Sequence, residues 1–243
     1  MFDYAIGATV AVVAGAVAAM TGFGVGSLLT AVLALHVDTR LAVAAVSIPH
    51  VVATAVRFCS LRGRFDRTVL LSFGLTSAAG GLVGAALHEM VSNRWLTTLF
   101  GGLLLFAGSS EITGLARRMR FRGWIAWSAG ALSGLLGGLV GNQGGIRSAA
   151  LVGFELPKET FVGTATAIAL FVDGARLPVY IAGQHAEMLS LWRWIAVATA
   201  GVTAGTLIGS RALRRVPDAW FRRVLAVTLA VLGVTMLWRG WSG

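Results

Sequence analysis

Apolar stretches about 20 residues long, separated by short basic or turn-rich links, run along the whole chain and predict membrane helices. Their ends, read from charges and turn residues, set eight elements at 4–35, 41–58, 68–87, 95–115, 123–154, 161–182, 189–210 and 221–238. Six have the length of one crossing. The elements 4–35 and 123–154 are longer, and glycines interrupt each of them at about two-thirds of its length. The first break, GFGVGSLL at 22–29, returns about 120 residues later as GNQGGIRS at 141–148. Beyond the breaks, Gly80, Gly81 and Gly84 match Gly201 and Gly205, the run 92–96 matches 217–221, and Arg57 falls opposite Arg176. Matches in one order at a nearly constant offset identify two halves of one design, 1–116 and 123–243, joined by a basic link at 117–122.

Composition agrees with the pattern: 56% hydrophobic and 12% charged residues do not make a water-facing surface, so the bilayer is the solvent. No soluble domain is expected. The first residues carry Asp3 in place of a basic cluster and the first apolar segment exceeds signal-peptide length, so no cleaved leader is expected. The single cysteine, Cys59, excludes an internal disulfide and offers no thiolate cluster, and neither a metal nor a cofactor is expected.

The net charge of +10 sits at the ends of apolar segments, which is a mark of topology and not of nucleic-acid binding. Arg147 and Arg176 lie within segments and are set aside. If all eight elements cross, the remaining basic residues divide ten against eight, with no bias. If 4–35 and 123–154 instead enter and return as re-entrant hairpins, Arg40, Arg94, Arg193 and Arg239 face one side and the other fourteen face the opposite one. The second division obeys the positive-inside rule. It gives each half an odd number of crossings, so the halves are inverted relative to each other. The expected fold is therefore an all-α polytopic membrane protein, with two inverted repeats of four helical elements and both termini outside the cytoplasm. Each repeat opens with a glycine-broken, re-entrant helix.

Irregular backbone at membrane depth must be satisfied by protein or by a polar cavity, so Gly24, Gly26, Gly144 and Gly145 are expected to line a shared cavity. A helix restarting there presents free N–H groups to an anion, with Val25 and Ser27 at one restart and Asn142, Gln143 and Arg147 at the other. Arg147 and Arg176 are the candidate charged ligands, with Thr164 beside them. Arg147 could instead pair with Glu155 or Asp173, and Asp173 with Arg176 at i, i+3. Arg57 could simply end its helix at the cytoplasmic surface. His50, a residue type whose unperturbed pKa lies near neutrality, and Asp173 are the candidates for carrying a coupling proton. The glycines at 80–84 and 201–209 have no polar company and read as close-packing positions.

GFGVGSLL with the following Leu35, His36, Val37 and Asp38 resembles the TauE/SafE sulfite exporter family, also called the toluene-sulfonate uptake permease family. GGLVGNQGGIRSAAL, the run 154–158 and Val162-Gly163-Thr164-Ala165 extend the resemblance over almost the whole chain. It implies carriage of sulfite, organosulfonates or related small anions, often as export, and carries onto Gly24, Gly26, Gly141, Gly144, Gly145 and Thr164. The family often has a proline shortly after each glycine break, where this chain has Thr30 and Ala150 or Leu151. Val25 and Ile146-Arg147 interrupt its usual glycine triplet.

These observations point to a secondary-active, alternating-access carrier of a small anion, sulfite or a sulfonate first, in a bacterial-type inner membrane. A carboxylate carrier and an anion channel of the same architecture are the alternatives. No catalytic residues are expected, since there is no His/Glu metal signature and no nucleophile elbow. The expected partners are the anionic substrate and membrane lipids, with nucleic acid excluded and a homodimer left open.

Overall fold

The computed structural model describes residues 4–21, 24–61, 63–114, 123–141, 144–152, 154–212 and 218–242. Regular structure among the described residues is helical throughout. The first half holds α1 (Tyr4–Thr21), α2 (Val25–Ala34), α3 (Thr39–Leu61), α4 (Arg67–His88) and α5 (Asn93–Thr113). The second holds α6 (Trp124–Val140), α7 (Gly144–Val152), α8 (Lys158–Ser190), α9 (Trp192–Ala212) and α10 (Asp218–Ser242). Each long element expected from sequence is thus a pair of helices meeting at glycines.

Local chemistry explains the ends. Asp66 accepts from the Val69 amide at 2.8 Å to start α4, and Ser92 accepts from Trp95 to start α5. Gly114 at φ 66° and Gly141 at φ 71° end α5 and α6 in a conformation that disfavours a Cβ. The 182–189 link is a kink in place of an open loop: one helical run ends at Gln184 and a second continues to Ser190, the two together making up α8. Only Gln184 departs from helical geometry, with φ −133° and ψ 26°. Its amide donates to Glu89 at 2.6 Å and Gly183 packs on the same carboxylate, so the kink is held and the helix resumes. Within α4, the π-helical turn Leu70–Gly74 has no sequence signal that would have predicted it.

By length and composition, four of the described helices can cross a membrane: Thr39–Leu61, Arg67–His88, Glu159–Ser190 and Arg223–Ser242. Glycines set how they pack. Gly15 lies on Val202, Gly205 on Val12 and Gly209 on Ala16, so α1 and α9 run side by side in the same direction. Gly80 on Ala131, Gly84 on Leu135 and Gly134 on Ser77 hold α4 and α6 in the same way. A Cβ at Gly80, Gly84 or Gly134 would collide with a facing carbonyl, the close approach that small residues permit between membrane helices. α5 and α10 pack antiparallel, Gly101 against Gly233 and Gly240 against Thr98.

The arrangement is reciprocal. α1 on α9 is matched by α6 on α4, α2 on α3 by α7 on α8, and α3 on α9 by α8 on α4. α3 with α8, and α5 with α10, pair with each other across the halves. One end of the molecule gathers Tyr4 beside Trp192, Arg40 donating to the Val91 carbonyl at 2.6 Å, Asp38 beside Asn93, and Gln184 on Glu89. The opposite end gathers Arg64 paired with Glu159 and the Asp66 amide donating to Thr164 at 2.9 Å.

Candidate functional site

The two glycine breaks touch. A Cβ built on Gly26 would stand 2.5 Å from the Gly141 carbonyl oxygen, and one on Gly141 would meet Val43 at 3.2 Å and Arg176 Nη1 at 3.8 Å. Gly24, at φ 127° and with no side-chain cap, starts α2, so the first amides of that helix have no partner within it. Val25, Gly26 and Ser27 are buried at this start, and Gly144 is buried at the start of α7. Asn142 and Gln143 lie outside the described residues, as does the side-chain environment of Gly145.

Around this contact the fold buries an ionic cluster. Arg147 on α7 is 1% exposed, Arg176 on α8 2% and Asp173 0%. Asp173 Oδ1 accepts from Arg176 Nε at 3.0 Å and lies 2.8 Å from Nη2, while Oδ2 lies 2.7 Å from His50 Nδ1 on α3. The i, i+3 pair read from sequence is therefore formed, and a histidine of the other half shares its carboxylate. Arg147 acts electrostatically on Arg57, Asp173 and Arg176. Burial makes this expensive unless each charge has a counterpart, which is why such clusters in membrane proteins mark function.

Arg57 does not end its helix at the surface. It is buried, donates through Nε to Thr166 on α8 at 2.9 Å and through Nη1 to the Ala18 carbonyl near the end of α1. Arg176 Nη1 donates to the Gly137 carbonyl near the end of α6 at 2.7 Å. The spacing from Ala18 to Gly137 equals that from Arg57 to Arg176, so the same bond is made twice, once before each break. Such a donor places a cation at the negative pole of the helix, at Gly137 adding a second bond to a carbonyl that also accepts the Gly141 amide at 2.9 Å.

Before the second break the next two carbonyls are held as well. Tyr180 donates its hydroxyl to Gly138, and His88 Nδ1 lies 2.6 Å from the Leu139 carbonyl, with its ring 5.0 Å from that of Tyr180. Sequence reasoning missed both residues. Tyr180, one turn beyond Arg176 on the same face, carried the only available signal. Thr164 is turned to other work: it is buried, and its hydroxyl accepts from the Asp66 amide at the α3–α4 link. Ser47, 2% exposed, bonds its own helix at Ala44.

The family model for the sulfite exporter TauE/SafE matches residues 7–236. No curated protein and no solved structure matches the chain. The matched region holds α2 to α9 entire, including both breaks and the buried cluster between them. With four helices fit to cross a bilayer and a family match over nearly its full length, the chain is a membrane protein that belongs to the TauE/SafE sulfite exporter family of transporters.

Proposed function

We propose that the protein is a secondary-active carrier, working by alternating access, that exports a small oxyanion, sulfite or an organosulfonate, across a bacterial-type inner membrane. The anion is held between the two glycine breaks. The observation that carries this reading is the burial of Arg147 and Arg176 beside the touching breaks Gly26 and Gly141. Guanidinium N–H groups and the positive poles at the starts of α2 and α7 together suit a three-oxygen anion.

In this reading α1 with α2, and α6 with α7, are re-entrant hairpins, and the halves 1–116 and 123–243 are inverted repeats. The reciprocal packing of the halves supports it. So does the gathering of Tyr4 and Asp38, at the two ends of the first broken segment, toward one end of the molecule. With the buried Arg57 set aside as well, the basic residues divide thirteen against four under this topology, which favours the Arg64 end as the cytoplasmic one.

Counterflow in proteoliposomes tests the function. Vesicles preloaded with unlabelled sulfite should accumulate labelled sulfite saturably, and taurine or sulfoacetate should compete better than acetate or chloride. Arg147→Ala and Arg176→Ala should abolish the flux while remaining monodisperse in detergent. Unaltered transport in Arg147→Ala would remove that residue from the site, selective acetate movement would assign a carboxylate carrier, and non-saturating flux would assign a channel.

A further inference from the structure

We propose that anion binding at this site is coupled to the uptake of one proton by His50, which takes over Asp173 from Arg176 and releases Arg176 to the anion. The inference rests on the anion-carrier reading above.

In the structure Asp173 is shared. His50 Nδ1 donates to Oδ2 at 2.7 Å, and Arg176 spends Nε and Nη2 on Oδ1 and Nη1 on the Gly137 carbonyl. The donors of Arg176 are thus already occupied by a carboxylate, whose negative charge also repels an anion arriving beside it. A positive charge added on the other side of Asp173 favours its release of Arg176. His50 is placed to accept that charge. Its Nδ1 is committed to Asp173 as a donor, so the neutral ring keeps its lone pair on Nε2. A proton from water binds Nε2, the imidazolium keeps its Nδ1–H on Oδ2, and no other bond forms or breaks. Arg176 then turns its donors from Oδ1 to the anion.

Position supports the exchange. His50 Cδ2 lies 3.8 Å from where a Cβ of Gly26 would be, and Arg176 Nη1 lies 3.8 Å from the same point on Gly141. The triad therefore bridges the two breaks between which the anion is held. The other charged and titratable groups that act on it are Arg57 on α3, Arg147 on α7 and Tyr180 on α8. The arginines are already cations, and the Tyr180 hydroxyl is committed to Gly138. α2 and α6 carry no titratable residue, α9 has Arg193 and Arg211 near its two ends, α5 has Arg94 and Glu111 near its own, and α4 has Arg67 at its start and His88 at its end. His88 faces the Leu139 and Arg40 carbonyls and not Asp173. Coupling of this kind is reciprocal, so the anion raises the proton affinity of His50 by the factor by which the proton raises that for the anion.

Calorimetric titration of the purified full chain with sulfite, at one pH in two buffers of different ionisation enthalpy, reads the protons taken up per anion. Wild type should take up about one proton more than His50→Gln, which retains a donor to Asp173 but does not titrate. The proton carried by sulfite itself is common to both proteins and cancels in the difference. Asp173→Asn serves as a second variant and should bind sulfite without the additional proton. Equal uptake in wild type and in whichever variant folds would overturn the coupling. Failure of wild type to bind either sulfite or taurine would overturn the carrier reading itself, and binding with no difference in uptake between wild type and variant overturns the coupling alone.

Discussion

Arg57 and Arg176 each divide their donors between a carbonyl near a helix end and a side chain facing the other way. A lysine offers no rigid fork and would serve one of these partners at a time. Arg176→Lys should therefore keep the charge and the fold yet weaken sulfite binding about 10- to 100-fold, the worth of one or two charge-assisted hydrogen bonds, as read by calorimetry. An unchanged affinity would mean that Arg176 acts as a point charge. Polar residues within apolar stretches were legible from sequence because nothing else explains their cost, and His50, Arg147, Asp173 and Arg176 all came from that rule. Tyr180 and His88 escaped it. Their partners are backbone carbonyls, and no side-chain pattern marks those. Tyr180→Phe leaves the Gly138 carbonyl without its donor and should cost about 1–3 kcal/mol, measured as a lower unfolding temperature in detergent.

At the level of elements, the glycine breaks were the clearest feature of the sequence, since a helix cannot continue at Gly24 or Gly141 with their positive φ. That the breaks would come together was read from their need for a shared polar cavity, but which atoms would touch was not. That follows from how α2 and α7 pack on α3 and α8, across about 120 residues of chain. Gly26→Ala tests the contact directly, because the added methyl would press on the Gly141 carbonyl. It should cost about 1–3 kcal/mol in stability and abolish counterflow, whereas Gly102→Ala, facing open space, should change neither. The break after Ala182 was legible, falling at Gln184, but the short helical run that follows it to Ser190 was not. The polar run Gly183-Gln184-His185 looks like a link, but Glu89 at the end of α4 binds the kinked residue and lets the helix resume.

For the whole molecule, the proposed hairpins make a simple prediction. With Cys59 replaced by alanine, single cysteines at Gly123 and Glu159, which flank α6 and α7, should react with a membrane-impermeant maleimide from the same side, and one at Glu187 from the other. Labelling of Gly123→Cys and Glu159→Cys from opposite sides would make the segment a full crossing. That the chain is helical, with apolar stretches long enough to cross a membrane, was legible because apolar length is a property of the chain alone. Which helices touch across the halves was not, since it depends on glycine faces meeting in space.

The bond made twice, Arg57 to Ala18 and Arg176 to Gly137, also bears on how a carrier of this kind would rest between cycles. Two identical halves exchanging roles would pass between mirror-like states of equal energy, with no preferred side for the empty protein. The carboxylate breaks that tie. At the repeat spacing, Asp173 falls opposite Thr54 and His50 opposite Ala169, so the charged triad, drawn from both halves, has no repeat-related copy. Whichever orientation best accommodates that unmatched triad is the ground state, and the side on which the protein waits for its cargo is set by two residues in an otherwise even-handed frame.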